Sequence, residues 1–172
     1  MAGIEQEFQI KWCGNKEEIL QAINLFIENV DPEYISHGEV QSGRAVDFKH
    51  WSPDLVKVLE HEFNLCFEKE GEAGAYKLAV AYINNKLSGL IFIQIVKLAN
   101  QPYAILQDMV IAKKLRGKHL GKNMLAWIEG ELKETGIKLL FLETGIHNQG
   151  AHAFFEANHF YVSSKIMVKE IG

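Results

Sequence analysis

The chain has 172 residues, 48% of them hydrophobic and 23% charged, with a net charge of −4. That length suits one domain with a real core, spanning residues 1–172. The acidic balance excludes a nucleic-acid binder relying on a broad basic field, and no apolar run approaches the roughly 18–20 residues that cross a bilayer.

The opening stretch, MAGIEQEFQIKW, lacks the apolar segment of a signal peptide, so a cytoplasmic protein is expected. Phe8, Ile10 and Trp12 alternate with polar residues, the mark of a half-buried strand. Asn15 and Glu18 have capping-box spacing, and Ile19, Leu20, Ile23, Phe26, Ile27 and Val30 follow at helical period until Asp31-Pro32. Residues 31–52 show no strong period and read as a functional loop, unless a short helix hides there. Ser52-Pro53 reads as the start of a helix that runs to about Glu70-Gly71, with Leu55, Leu59 and Phe63 on its apolar face. Cys13 and Cys66 sit in apolar-patterned segments and read as core thiols, not a disulfide.

Apolar runs at 76–83 and 87–96, joined by Asn84-Asn85-Lys86, form a hairpin candidate. The run 104–112 completes a three-strand antiparallel meander. A helix is expected over 121–134. Residues 138–144 form a strand that a helix crossover should place parallel to 104–112. A short helix over 148–158 and a last strand over 160–168 end the series. The order implies an α+β fold, with a mixed, mostly antiparallel central sheet flanked by helices.

The organising stretch is 104–125. An apolar strand leads into a loop with Lys113, Lys114, Arg116, Lys118, Gly117 and Gly121, and then into a helix start. Unpaired N–H groups and the positive dipole end make such a junction an anion site, and the local charge suits a small polyanion. The loop fails the nucleotide P-loop pattern, with one residue too few between its glycines and Asn123 where Ser or Thr belongs. His61-Glu62 opens a zinc-protease helix motif, but Leu65 occupies the second histidine position, so no metal is expected.

Arg116-Gly117-Lys118-His119-Leu120-Gly121 resembles the acetyl-CoA-binding motif of the GNAT superfamily of N-acetyltransferases, with His119 where a glycine is usual. Downstream, Asn148, Ala151, Phe154 and Phe160 are similar to a second GNAT motif, with Phe155 in place of its tyrosine and His159 in place of its glycine. The resemblance implies a GNAT-like fold and transfer of acetyl from acetyl-CoA, as co-substrate, directly to a primary amine of a small molecule or peptide. It implies a bulged central strand whose Met109, Val110 and Ile111 hold the pantetheine arm and thioester carbonyl, the latter on a backbone N–H near Val110. Arg116, Gly117, Lys118, His119, Leu120, Gly121 and Lys122 would hold the pyrophosphate. Asn148, His152 and Phe155 would flank the cofactor, although Asn148 is equally placed to cap a helix.

The amine must lose a proton. Asp108, a carboxylate in an otherwise apolar strand, and Glu143, near the end of the neighbouring strand, are the candidate bases or acceptor-binding groups. Phe155 cannot protonate the departing thiolate, which leaves Tyr161, His152 or solvent. Glu33, Tyr34, His37 and Glu39 form the expected acceptor wall. A non-catalytic acyl-CoA sensor is the alternative function, motivated by His119, Phe155 and His159. A homodimer is compatible with either.

Overall fold

The computed structural model describes residues 7–72, 74–97 and 100–172. Among the described residues the sheet has five strands, in the order β1 (Phe8–Trp12), β2 (Ala75–Ile83), β3 (Lys86–Val96), β4 (Tyr103–Ile111) and β5 (Leu140–Leu142). Neighbours pair antiparallel except β5, which runs parallel to β4. The helices are α1 (Lys16–Asn29), α2 (His37–Ser42), α3 (Leu55–Asn64), α4 (Leu120–Glu134) and α5 (Gln149–Ala157). This is the expected α+β arrangement.

The β2–β3 hairpin turns on Asn84 and Asn85 alone, at φ 49° and 60°, values that asparagine tolerates in a two-residue turn. Both faces of these strands are covered, so they read as continuous apolar runs. Leu78, Val80, Leu90 and Phe92 pack with Ile23 and Phe26 of α1 and Leu59 and Phe63 of α3. Ala79, Ala81, Ile91 and Ile93 pack on the opposite face with Met124, Leu125 and Ile128 of α4 and Phe155 of α5. Each fully buried large side chain contributes roughly 1.5–3 kcal/mol, so two layers hold β4 between them.

A bulge in β4 sets the direction of the side chains in its second half. Phe92 pairs with Asp108 and Ile93 with Leu106, so Gln107 has no residue opposite it. An extra residue inverts the alternation of a strand. Before the bulge, Ala104 and Leu106 face the α4 layer; after it, Val110 faces the α1 layer.

Several boundaries differ from expectation. The loop at 31–52 contains α2, one and a half turns too short to show a period, capped by reciprocal bonds of Ser36 and Glu39. Ser52 does not cap α3; its hydroxyl holds the Asp54 N–H in the preceding turn, and the helix starts at Leu55. It gives way to a 3₁₀ turn over Leu65–Phe67, short of Gly71. The expected strand at 160–168 is absent. Residues 160–172 have no regular secondary structure, with Tyr161 84% and Met167 93% exposed, because no neighbouring strand pairs with them.

Candidate active site

β4 and β5 pair only as far as Leu106 and Leu142. Beyond that point β4 runs on to Ile111, while the chain after β5 turns away toward α5. Gly145 permits this path. A Cβ there would stand 2.4 Å from the Glu33 carbonyl oxygen and 2.6 Å from that of Ile35, so the segment before α2 closes directly on the departing chain. The parting leaves a cleft of about 620 Å³. Its floor is the unpaired edge of β4. Ala104 donates to Leu139 on the β5 side, whereas Ala112 donates to Ser88 on the β3 side. Alternation therefore bonds Val110 to β3 and turns the N–H groups of Met109 and Ile111 toward the cleft. The outward N–H groups nearest Val110 are thus those of its two neighbours, while Val110 still lines the floor.

At the Ile111 end stands the basic loop. Gly117 and His119 lie at φ 73° and 64°. The first helical bond of α4 runs from Asn123 N–H to the His119 carbonyl, so the N–H groups of Leu120, Gly121 and Lys122 have no intrahelical partner, and the His119 side chain does not cap them. A Cβ on Gly121 would approach Ile111 Cδ1 to 2.8 Å; its absence seats the helix start against β4. Arg116, Gly117, His119, Gly121 and Lys122 line the cleft. Lys118 is exposed outside the lining, and the Leu120 side chain is buried among the α4-side core. The Arg116 guanidinium donates to the Asn29 carbonyl at 2.6 Å and to that of Ile111 at 3.2 Å, so its charge sits on the C-terminus of α1. Asn29 fastens the same junction from α1, accepting the Lys113 N–H at 2.8 Å.

At the Gln107 end, Glu143 follows immediately after the last β5 pair, and Tyr34 and Glu39 arrive from the segment held by Gly145. Glu143 is half exposed, with one oxygen 3.2 Å from His37 Nδ1. Asp108 does not reach the cleft. It is 0% exposed, and its two oxygens accept from the Arg44 guanidinium at 2.7 and 2.8 Å, one of them also from the Tyr34 hydroxyl at 2.8 Å. The bulge turns this carboxylate into the α1 layer, so its expected role as base is replaced by an internal ion pair. Arg44 also bonds Glu62 and lies 3.8 Å from Glu39. Burial would lower the Arg44 pKa, but the Asp108 and Glu62 charges outweigh it and raise it. Burial pushes the Glu62 carboxyl up, partly offset by Arg44, and burial with the Asp108 charge raises the Tyr34 hydroxyl well above its usual range.

Two further expected roles fail geometrically. Tyr161 projects from the exposed tail and does not line the cleft. His152 bonds the Gly145 carbonyl through Nε2 at 3.0 Å, bracing the turn after β5, and is likewise outside the lining. Asn148 fulfils the expected capping role, its side chain accepting the Ala151 N–H at 3.3 Å as the N-cap of α5, and it also lines the cleft. Phe155 lines the cleft while stacking edge-on with Phe154 and Phe160. Arg44, Glu62 and Asn29 escaped the sequence reading; the buried Asp108 called for a cation, but nothing in the sequence pointed to one 64 positions away. Among the described residues, no three His, Cys, Asp or Glu side chains group as a metal site, and no helix is long and apolar enough to cross a membrane.

The sequence model of the acetyltransferase (GNAT) family matches residues 44–160. The aminoalkylphosphonate N-acetyltransferase of Salmonella typhimurium is 36% identical over 50 residues, which are 29% of this chain and 32% of that enzyme; the match thus spans about a third of the relative's length. Among solved structures, an aminoglycoside antibiotic 6′-N-acetyltransferase from Acinetobacter haemolyticus superimposes with a TM-score of 0.67 at 14% identity, over 95% of this chain and 98% of that one. An aminoglycoside N-acetyltransferase solved with CoA gives 0.66 at 12% identity over 99% of both chains. A transcriptional regulator from Bacillus halodurans gives 0.67 at 16% identity over 96% of this chain and 100% of that one. At these identities the structural likeness speaks for the fold alone.

Proposed function

The chain belongs to the GNAT acetyltransferase family, and on that premise we propose that it moves an acetyl group from acetyl-CoA directly to a primary amine. One observation carries the reading: the unpaired edge of β4 and the bare N–H groups of α4 face a single cleft. Acetyl-CoA supplies an activated thioester when bound. The N–H groups of Leu120, Gly121 and Lys122, at the positive end of α4, suit its pyrophosphate. The Arg116 side chain anchors the loop, and its own N–H is spent on the Lys113 carbonyl. Met109 and Ile111 present N–H groups to the pantetheine arm and to the thioester carbonyl, whose oxygen gains charge as the amine attacks. Among the described residues no serine or cysteine lines the cleft, in keeping with direct transfer.

Glu143 takes the amine proton, with His37 beside it to fix the carboxylate. Phe155 offers no proton to the thiolate, and Tyr34 commits its own to Asp108, so solvent protonates a leaving group whose pKa is about 8.5. A relative named for aminoalkylphosphonate N-acetylation supports an amine acceptor. The sensor reading loses two of its motives, because His119 and His159, at φ 64° and 69°, keep the backbone usual for glycine.

Thiol release from acetyl-CoA with a broad amine panel, run beside calorimetry, tests the proposal. CoA release with at least one amine is expected, and Glu143→Gln should lower kcat by about 10²–10⁴-fold with CoA affinity unchanged. Tight binding without release across the panel favours the sensor. Absence of binding sinks both.

A further inference from the structure

The cleft is bipolar along β4. At the Ile111 end lie the α4 N-terminus, His119 and Lys122; Arg116 and Lys122, both at that end, are the only arginine and lysine among the described lining residues. At the Gln107 end the charged lining groups are Glu39 and Glu143. Behind them Arg44 faces three carboxylates, Glu39, Glu62 and Asp108, so the negative charge exceeds what the guanidinium neutralises. Glu39 is the loosest partner, at 3.8 Å, and its other oxygen is held at 2.7 Å by the Ser36 N–H and hydroxyl. Glu143 pairs with His37.

We infer that the acceptor is an aliphatic amine carrying a second positive charge, a di- or polyamine, and not an amine carrying a phosphonate or carboxylate. The inference rests on the acetyltransfer reading and narrows its substrate class. One nitrogen enters the cleft neutral, its ammonium proton left in solvent; its lone pair forms the bond to the thioester carbon, the proton it sheds on becoming an amide goes to Glu143, and the C–S bond breaks to leave CoA thiolate, which solvent protonates. The second nitrogen keeps its proton and stays charged. The unneutralised carboxylate charge around Glu39 attracts that ammonium. A phosphonate in the same place meets repulsion from Glu39 and Glu143. It is drawn instead to the loop end, where it competes with the pyrophosphate.

The test compares pentylamine, 1,5-diaminopentane and 3-aminopropylphosphonate. Thiol release at saturating acetyl-CoA should give the diamine a kcat/KM at least about tenfold above the monoamine, with the phosphonate lowest. Raising salt to about 0.5 M should shrink that advantage, since exposed charge attraction is screened. Glu39→Gln should shrink it too, with CoA affinity unchanged; Glu39 also caps α2, so the salt series provides the readout that does not depend on folding. Calorimetric titration of the same three amines, with and without CoA, separates the two layers of the argument. Tighter diamine binding without turnover defeats acetyltransfer and with it the acceptor assignment, and leaves the cleft as a dication-binding site. Turnover with equal or phosphonate-favoured acceptors overturns the inference and leaves acetyltransfer standing. Neither turnover nor selective binding defeats both.

Discussion

Asp108 is sealed among Arg44 and Tyr34, whereas Glu143 stands half exposed in the cleft. Their substitutions should therefore fail in opposite ways. Asp108→Asn leaves the Arg44 guanidinium without its bidentate partner in a buried site, which costs about 3–5 kcal/mol and appears as a lowered urea midpoint. Glu143→Gln removes a surface charge and should change stability by no more than about 0.5 kcal/mol, while turnover collapses. An Asp108→Asn chain as stable as the wild type yet inactive would reinstate Asp108 as the base. The sequence flagged Asp108 correctly as an expensive carboxylate in an apolar strand. It could not show which way the side chain points, because one bulged residue, Gln107, reverses every side chain after it. His119 and His159 are similar: a missing glycine is visible in the sequence, but the positive φ that histidine retains there is visible only in the fold.

At the scale of elements, Glu18 ties α1 to the sheet. It accepts the Gly14 N–H at 2.7 Å and the Tyr82 hydroxyl at 3.1 Å, and it pairs with Lys11 of β1. Burial alone would raise its pKa; these three partners outweigh burial and hold the carboxyl below its ordinary value. A depressed folded pKa contributes stability above the unfolded carboxylate value, about 4.3, and loses it as pH falls through the lower folded value. Glu18→Gln should thus cost about 1–2 kcal/mol at neutral pH, and the gap should close in acid, once the wild-type carboxyl is protonated. Denaturant titrations of both chains between neutral and acidic pH measure it; a gap that persists in acid assigns the loss to packing. The sequence reading caught the Asn15 cap but not this set of partners, since Glu18 reaches Gly14 and Tyr82 and not the cap residue's own N–H. Elements with local chemistry were legible: the Asn84-Asn85 turn, the β4–loop–α4 junction and the Asn148 cap each carry their signal within a few residues. α2 was not, because six residues show no period, although Ser36 and Glu39 stood at capping-box spacing.

For the molecule as a whole, the unsettled surface is the tail. Residues 160–168 read as a strand, but a strand requires a partner, and no local pattern reveals whether one exists. Phe160 packs on Phe155, and after it Val162, Ile166, Met167, Val168 and Ile171 are 63–94% exposed. Near them in kind is the outer edge of the sheet at β5, where Leu139 and Phe141 are 39% and 44% exposed. Because residues 161–172 bury almost nothing within the chain, truncation after Phe160 should move the unfolding free energy by no more than about 0.5 kcal/mol. The same truncation removes a long apolar strip from water, and such strips drive association. Sedimentation velocity should accordingly show concentration-dependent association for the full chain and a monomer for the truncated one. A truncated chain with a sharply lowered urea midpoint would mean that the tail packs on its own sheet in solution. A full chain that stays monomeric at every concentration would mean that water tolerates the strip. Stability and assembly are read on the same two proteins, so the tail's contribution to the fold is separated from its contribution to contact between copies.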